Sequence, residues 1–90
     1  MNITEARELN KTVAAEIMTM ISMCIRKAAE EGAMKLDYRI QDDMDDIYDY
    51  IIIPEFEKKG YNVATFSSSS SEINNGANYR TLRICWHPKP

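Results

Sequence analysis

Four places in this chain carry side chains that could do chemistry. Cys85 and His87 stand at i and i+2, a spacing that puts two side chains on one face of a strand. An imidazole beside a thiol is the start of a nucleophilic pair, but His87 is the only histidine and no third group is placed to orient it. The two read instead as a buried-type cysteine and a tail histidine. Cys24 lies far from Cys85 and forms no CxxC pair, so metal ligation lacks its ligand spacing. Both cysteines read as free thiols of a reducing, cytoplasmic compartment. Phosphate-binding glycine motifs and paired-histidine zinc motifs are missing from the sequence. The expectation is a protein that is not an enzyme, with no catalytic residue, metal or cofactor.

The third place is acidic: Asp42, Asp43, Asp45 and Asp46. Such a cluster suits a metal site or a nucleic-acid mimic, yet a helix start explains it with neither, since carboxylates there complement the helix dipole. The fourth is the strongest. From Ser67 to Asn78 the chain is rich in Ser, Asn and Gly, and Tyr79, Arg80 and Arg83 follow at once. Hydroxyls, amides and unhindered backbone N–H groups hold anions, a tyrosine ring stacks, and guanidiniums grip phosphate in a fork. The expected ligand residues are Ser67, Ser68, Ser69, Asn78, Tyr79, Arg80 and Arg83. The competing reading is a tether between two strands, flanked by solvated arginines. A twelve-residue connection is long for a compact domain, and such loops are commonly functional or disordered.

These groups must be positioned by the rest of the chain, which opens with one long amphipathic helix, Asn2 to Glu31. Apolar residues recur at Ala6, Leu9, Val13, Ile17, Met20, Cys24, Ile25 and Ala28, the three-and-four spacing of a helix face. Asn2 with Glu5 predicts the N-cap and Gly32 the C-cap. At about 1.5 Å per residue the helix would run roughly 45 Å. That exceeds what a domain with a radius of gyration of about 12 Å can cover. The excess predicts self-association through Val13, Ile17, Met18, Ile21 and Ile25, with a long core helix in a monomer as the alternative.

Next, Met34 to Ile40 alternates strictly, predicting a strand with Lys35, Asp37 and Arg39 on its wet face. A second helix is expected with Asp42 or Asp43 as N-cap and Met44, Ile47, Ile51 and Phe56 inward, Tyr48 and Ile52 beside them. Pro54 should kink or split it, and Gly60 should close it. Tyr61–Phe66 and Tyr79–Trp86 are read as two strands of an antiparallel hairpin. In the second, Leu82, Ile84 and Trp86 face one way, and Thr81, Arg83 and Cys85 the other. The fold class is α+β, in the order α-β-α-β-β. Both helices lie on one face of a three-stranded sheet, and the other face carries Lys35, Arg39, Thr81, Arg83 and the counter-charge Asp37.

Ninety residues make a single domain. A formal net charge of −3 argues against nonspecific nucleic-acid binding, though not against a local basic patch. The opening residues are polar and show no secretory leader, and the longest apolar run, Tyr50–Ile53, is far too short for a bilayer. Four stretches, Met1–Leu9 (MNITEAREL), Ala28–Ile40 (AAEEGAMKLDYRI), Glu57–Val63 (EKKGYNV) and Leu82–Trp86 (LRICW), resemble small accessory proteins of tailed bacteriophages. Proteins of that kind with assigned roles often counter bacterial immunity, by sequestering cyclic nucleotide messengers in an oligomer or by blocking a host protein. The resemblance implies a protein of the host-cell cytoplasm, a homo-oligomer, and a cyclic nucleotide or related phosphate-bearing ligand. It transfers no site residue. An inhibitor of a host protein and an assembly protein without a ligand stand as the other two readings.

Overall fold

Asn2 opens the first helix, α1 (Ile3–Glu30), by accepting a hydrogen bond from the Glu5 backbone N–H at 2.9 Å. The helix stops where Gly32 takes φ +94°, a left-handed conformation that costs glycine little. Two crossed hydrogen bonds then close its last turn: Ala33 N–H to the Ala28 carbonyl at 2.9 Å, and Gly32 N–H to Ala29 at 3.0 Å. The computed structural model describes residues 1–69 and 78–88, of which Ser68, Ser69 and Asn78 are described in their backbone alone.

The order is the expected α-β-α-β-β: β1 (Lys35–Arg39), a second helical segment, β2 (Asn62–Ser69) and β3 (Asn78–Cys85). The sheet is antiparallel with β3 in the centre, in the order β1-β3-β2. Ala14, Ile17, Ile21 and Ile25 of α1 form the core with Ile40, Leu82 and Ile84 of the sheet side and Tyr48, Ile52 and Phe56 of the second helix. Nothing before Val13 reaches that core closely enough to be buried, so the first turns of α1 overhang the body of the domain. The radius of gyration is 14.8 Å, above the roughly 12 Å of a compact chain this long.

The core assignment corrects the expected self-association surface. Ile17 (7% exposed), Ile21 (0%) and Ile25 (8%) are sealed inside the chain's own core. Val13 and Met18 are half-buried against it. The large apolar residues that α1 leaves outside are Ile3 in its first turn and Leu9, Met20 and Met23 further along. Periodicity had merged two stripes into one, because it shows that a face is apolar but not which part of it the sheet covers.

The second helix is divided as Pro54 predicts: α2 (Asp45–Ile47), a π-helical segment (Tyr48–Ile52) and α3 (Ile53–Lys58). Proline lacks the N–H an α-turn would use, and its ring crowds the preceding turn. Hydrogen bonding five residues back widens the turn just before it. The wider turn brings Tyr48, Ile52 and Phe56, each four apart, onto the buried side, while Met44, Ile47 and Ile51 are only half-buried. Phe56 is inward as an unbroken α period predicts, whereas that period ranks Met44, Ile47 and Ile51 ahead of Tyr48 and Ile52. The capping expectation also shifts: the N-cap is Met44, without a side-chain bond, and Asp43 occupies a left-handed turn at φ +64°. Gly60, at φ +100°, repeats the crossed closure of α1, with Phe56 and Tyr61 in edge-to-face contact at 5.6 Å.

Two boundaries move at the hairpin. Ser67, Ser68 and Ser69 belong to β2, and Asn78 to β3. Each partners a residue of the neighbouring strand, Ser67 with Arg80, Ser68 with Tyr79 and Ser69 with Asn78. The rest of the expected loop, residues 70–77 with its Asn75–Gly76 turn, lies outside the described residues.

Candidate ligand face of the sheet

Side chains alternate across a strand, so the parity of each residue decides which face it joins. On β3, Arg80, Leu82 and Ile84 point to the helices, and Tyr79, Thr81, Arg83 and Cys85 to the opposite face. The expected ligand residues therefore divide between the two faces, although Ser67, Tyr79 and Arg80 border one cleft at the hairpin end of the sheet. Arg80 and Ser67 lie on the helix side, whereas Tyr79, Arg83 and the Ser68 position lie on the other.

Arg80 is held where it stands by four hydrogen bonds from its two terminal nitrogens. It donates to Asp45 at 2.7 Å and to Asp49 at 3.0 and 3.3 Å, with a further bond to the Thr65 hydroxyl at 3.3 Å. The hydrogen bonds to Asp49 and then Asp45 hold the guanidinium charged beyond its ordinary range. A phosphate would have to displace two carboxylates. The cleft at this end of the sheet, about 610 Å³, is lined by Ser67, Tyr79 and Arg80 together with Ile40, Gln41 and the carboxylates of Asp42, Asp43 and Asp45, which disfavour an anion there. Arg80 thus clamps β3 to α2 and the π-helical segment. Below the clamp, the buried Tyr48 hydroxyl donates to the Gln41 side chain at 2.5 Å, and burial raises its pKa.

The opposite face carries no helix or strand among the described residues. Thr81 sits at its centre, with Arg39 opposite on β1, Phe66 opposite on β2, and Tyr79 and Arg83 two residues away on its own strand. Two diagonal pairs cross this floor. The Arg39 guanidinium lies 4.8 Å from the centre of the Tyr79 ring, and that of Arg83 lies 5.0 Å from the centre of Phe66. Arg83 also donates to Asp37, its partner in register, at 2.7 and 3.0 Å. That bond holds the Asp37 carboxyl below its usual range. Three cations, Lys35, Arg39 and Arg83, therefore share the face with one carboxylate. Lys35 and Arg39 make no salt bridge among the described residues.

Arg39 and Phe66 were not singled out as ligand residues. Alternation alone places Arg39 on this face, whereas the sequence pattern marks Phe66 only as the end of a strand. Its signal was available, since a large aromatic at the edge of a wet face is a stacking surface. The oblique Arg-to-ring pairing needs the strand order and register, which periodicity does not supply.

Cys24 and Cys85 are both free and half-buried. His87 is exposed and makes no side-chain hydrogen bond among the described residues. No group of three metal-ligating side chains comes together among the described residues, and none of their helices is long and apolar enough to cross a membrane. The chain matches no family model, no curated protein and no solved structure.

Proposed function

We propose that this chain is a non-enzymatic binding protein whose open sheet face takes a nucleotide-type, phosphate-bearing ligand. The observation that carries the reading is the pair of cation–ring contacts, Arg39 on Tyr79 and Arg83 on Phe66, on a face with no covering element among the described residues. A base stacks on an aromatic ring or a guanidinium plane, and stacking contributes about 1–3 kcal/mol per base. Arg39 and Lys35 supply charge to phosphate without first breaking a salt bridge. The rings of Tyr79 and Phe66 are diagonal neighbours on adjacent strands, where such positions lie about 7–8 Å apart. That separation suits a ligand with two bases, as in a cyclic dinucleotide. Removal of such a signal from circulation, to the detriment of host defence, follows from the resemblance to phage accessory proteins.

The test is calorimetric titration against a panel of cyclic di- and trinucleotides and cyclised ADP-ribose compounds. A charge-assisted hydrogen bond contributes about 1.5–3 kcal/mol. Arg39→Ala should accordingly weaken binding by roughly one to two orders of magnitude, and Tyr79→Ala by a similar factor. Arg80→Ala should leave affinity close to wild type, because Arg80 lies on the other face. Absence of binding by the wild type would refute the reading. A host protein docked on the exposed Leu9, Met20 and Met23 of α1 would then be the better one.

A further inference from the structure

A three-stranded sheet has two edges, and here they are built differently. The Ile40 N–H donates to the Arg80 carbonyl, and the Trp86 N–H to that of Met34. Antiparallel pairs alternate, so the even-numbered residues of β3 bond to β1 and the odd-numbered ones to β2. The backbone groups that β1 turns outward thus belong to Lys35, Asp37 and Arg39. Those that β2 turns outward belong to Val63, Thr65 and Ser67.

Charged side chains on a short strand are a common protection against pairing with another chain, and β1 has both features over five residues. β2 has neither. It runs eight residues with no charge and no proline. Among the described residues its backbone bonds only to β3. Thr65 and Ser67 are exposed although their side chains lie on the helix side, so the helices stop short of this edge.

We propose that the β2 edge pairs antiparallel with the β2 edge of a second copy, about a two-fold axis at Thr65, giving one continuous six-stranded sheet. The strand is complementary to itself in that register. Thr65 meets Thr65 of the second copy, and Val63 and Ser67 exchange, so each outward N–H finds a carbonyl. On the open face Phe66 falls opposite the second copy's Ala64, a large side chain beside a small one. Phe66 is 40% exposed in the single chain and gains cover there. No like charges meet, since the strand has none. The pairing also joins the two open faces on one side, with all helices on the other. It depends on the edge alone and not on the ligand reading.

Sedimentation equilibrium of the full chain tests this, together with amide hydrogen exchange at low and high concentration. The wild type should approach twice the chain mass as concentration rises, with added protection at the amides of Val63, Thr65 and Ser67. Thr65→Pro deletes an outward N–H that no ladder bond uses and otherwise loses only the exposed 3.3 Å bond from Arg80, so the monomer should fold while association weakens about tenfold or more. Ser67→Pro does the same at the next outward position and decides the matter if Thr65→Pro fails to fold. Met20→Glu with Met23→Lys, on α1, should leave association unchanged. A wild type that stays monomeric overturns the proposal. So does unweakened association in the folded proline variants, or dissociation by the α1 substitutions.

Discussion

Removing Arg80 should cost stability rather than ligand affinity. The side chain reaches from the central strand across to the second helix, joining Asp45 and Asp49 through three hydrogen bonds of 2.7–3.3 Å. It is 28% exposed, and the carboxylates are 55% and 41% exposed, so solvent screens both pairs. Exposed ion pairs contribute about 0.2–1 kcal/mol each, and the forked geometry toward Asp49 puts this site at the upper end. Arg80→Ala then loses about 1–2 kcal/mol, including repulsion within the acidic cluster of Asp42, Asp43, Asp45, Asp46 and Asp49. For a chain of this size that is a fall in Tm of roughly 5–12 °C. Thermal unfolding followed by circular dichroism reads it directly. Arg80→Lys keeps the charge but not the fork, and should fall between. A double-mutant cycle with Asp49→Asn should return a coupling near 0.5–1 kcal/mol. Unchanged Tm in Arg80→Ala, with lost nucleotide binding in the folded variant, would refute the clamp and return Arg80 to the ligand site.

Ile21→Ala should destabilise the monomer by about 2–5 kcal/mol, the usual range for a cavity in a sealed core; a surface role would leave urea unfolding unchanged. The Asp37–Arg83 pair lowers the folded-state pKa of Asp37, so its stabilisation is complete above the unfolded-state pKa and is lost as pH falls through the folded one. Urea midpoints followed from neutral pH to below pH ~4 should therefore fall less in Arg83→Ala than in wild type. Asp43→Gly should be neutral or stabilising at φ +64°, whereas Asp43→Val should lose about 1 kcal/mol or more, because β-branched residues resist the left-handed region; chemical unfolding of both variants separates the two.

Local signals were enough wherever one element settles the matter within itself. Asn2, Gly32 and Gly60 mark helix ends because capping involves only residues within a turn. The alternation from Met34 to Ile40 sorts β1 into two faces for the same reason, and Pro54 announces a break in the second helix before any packing is known. The separation of Arg80 from Arg83 was also open to reading. Three residues apart on a strand are on opposite faces, but grouping the two as one phosphate grip passed over that parity. Other features depend on contacts between elements. Whether Ile17, Ile21 and Ile25 or Leu9, Met20 and Met23 face the core is decided by where the sheet lies against α1. The burial of Tyr48 and Ile52 ahead of Met44, Ile47 and Ile51 accompanies a π-helical segment that the α repeat does not announce. Strand order makes β3 central and sets the diagonals from Arg39 to Tyr79 and from Arg83 to Phe66. The same order leaves β2, with its uncharged Ser-rich end, as the unguarded edge. Periodicity along a chain carries which face a residue joins; which residues meet across strands is a property of register, and register exists only once the sheet has formed.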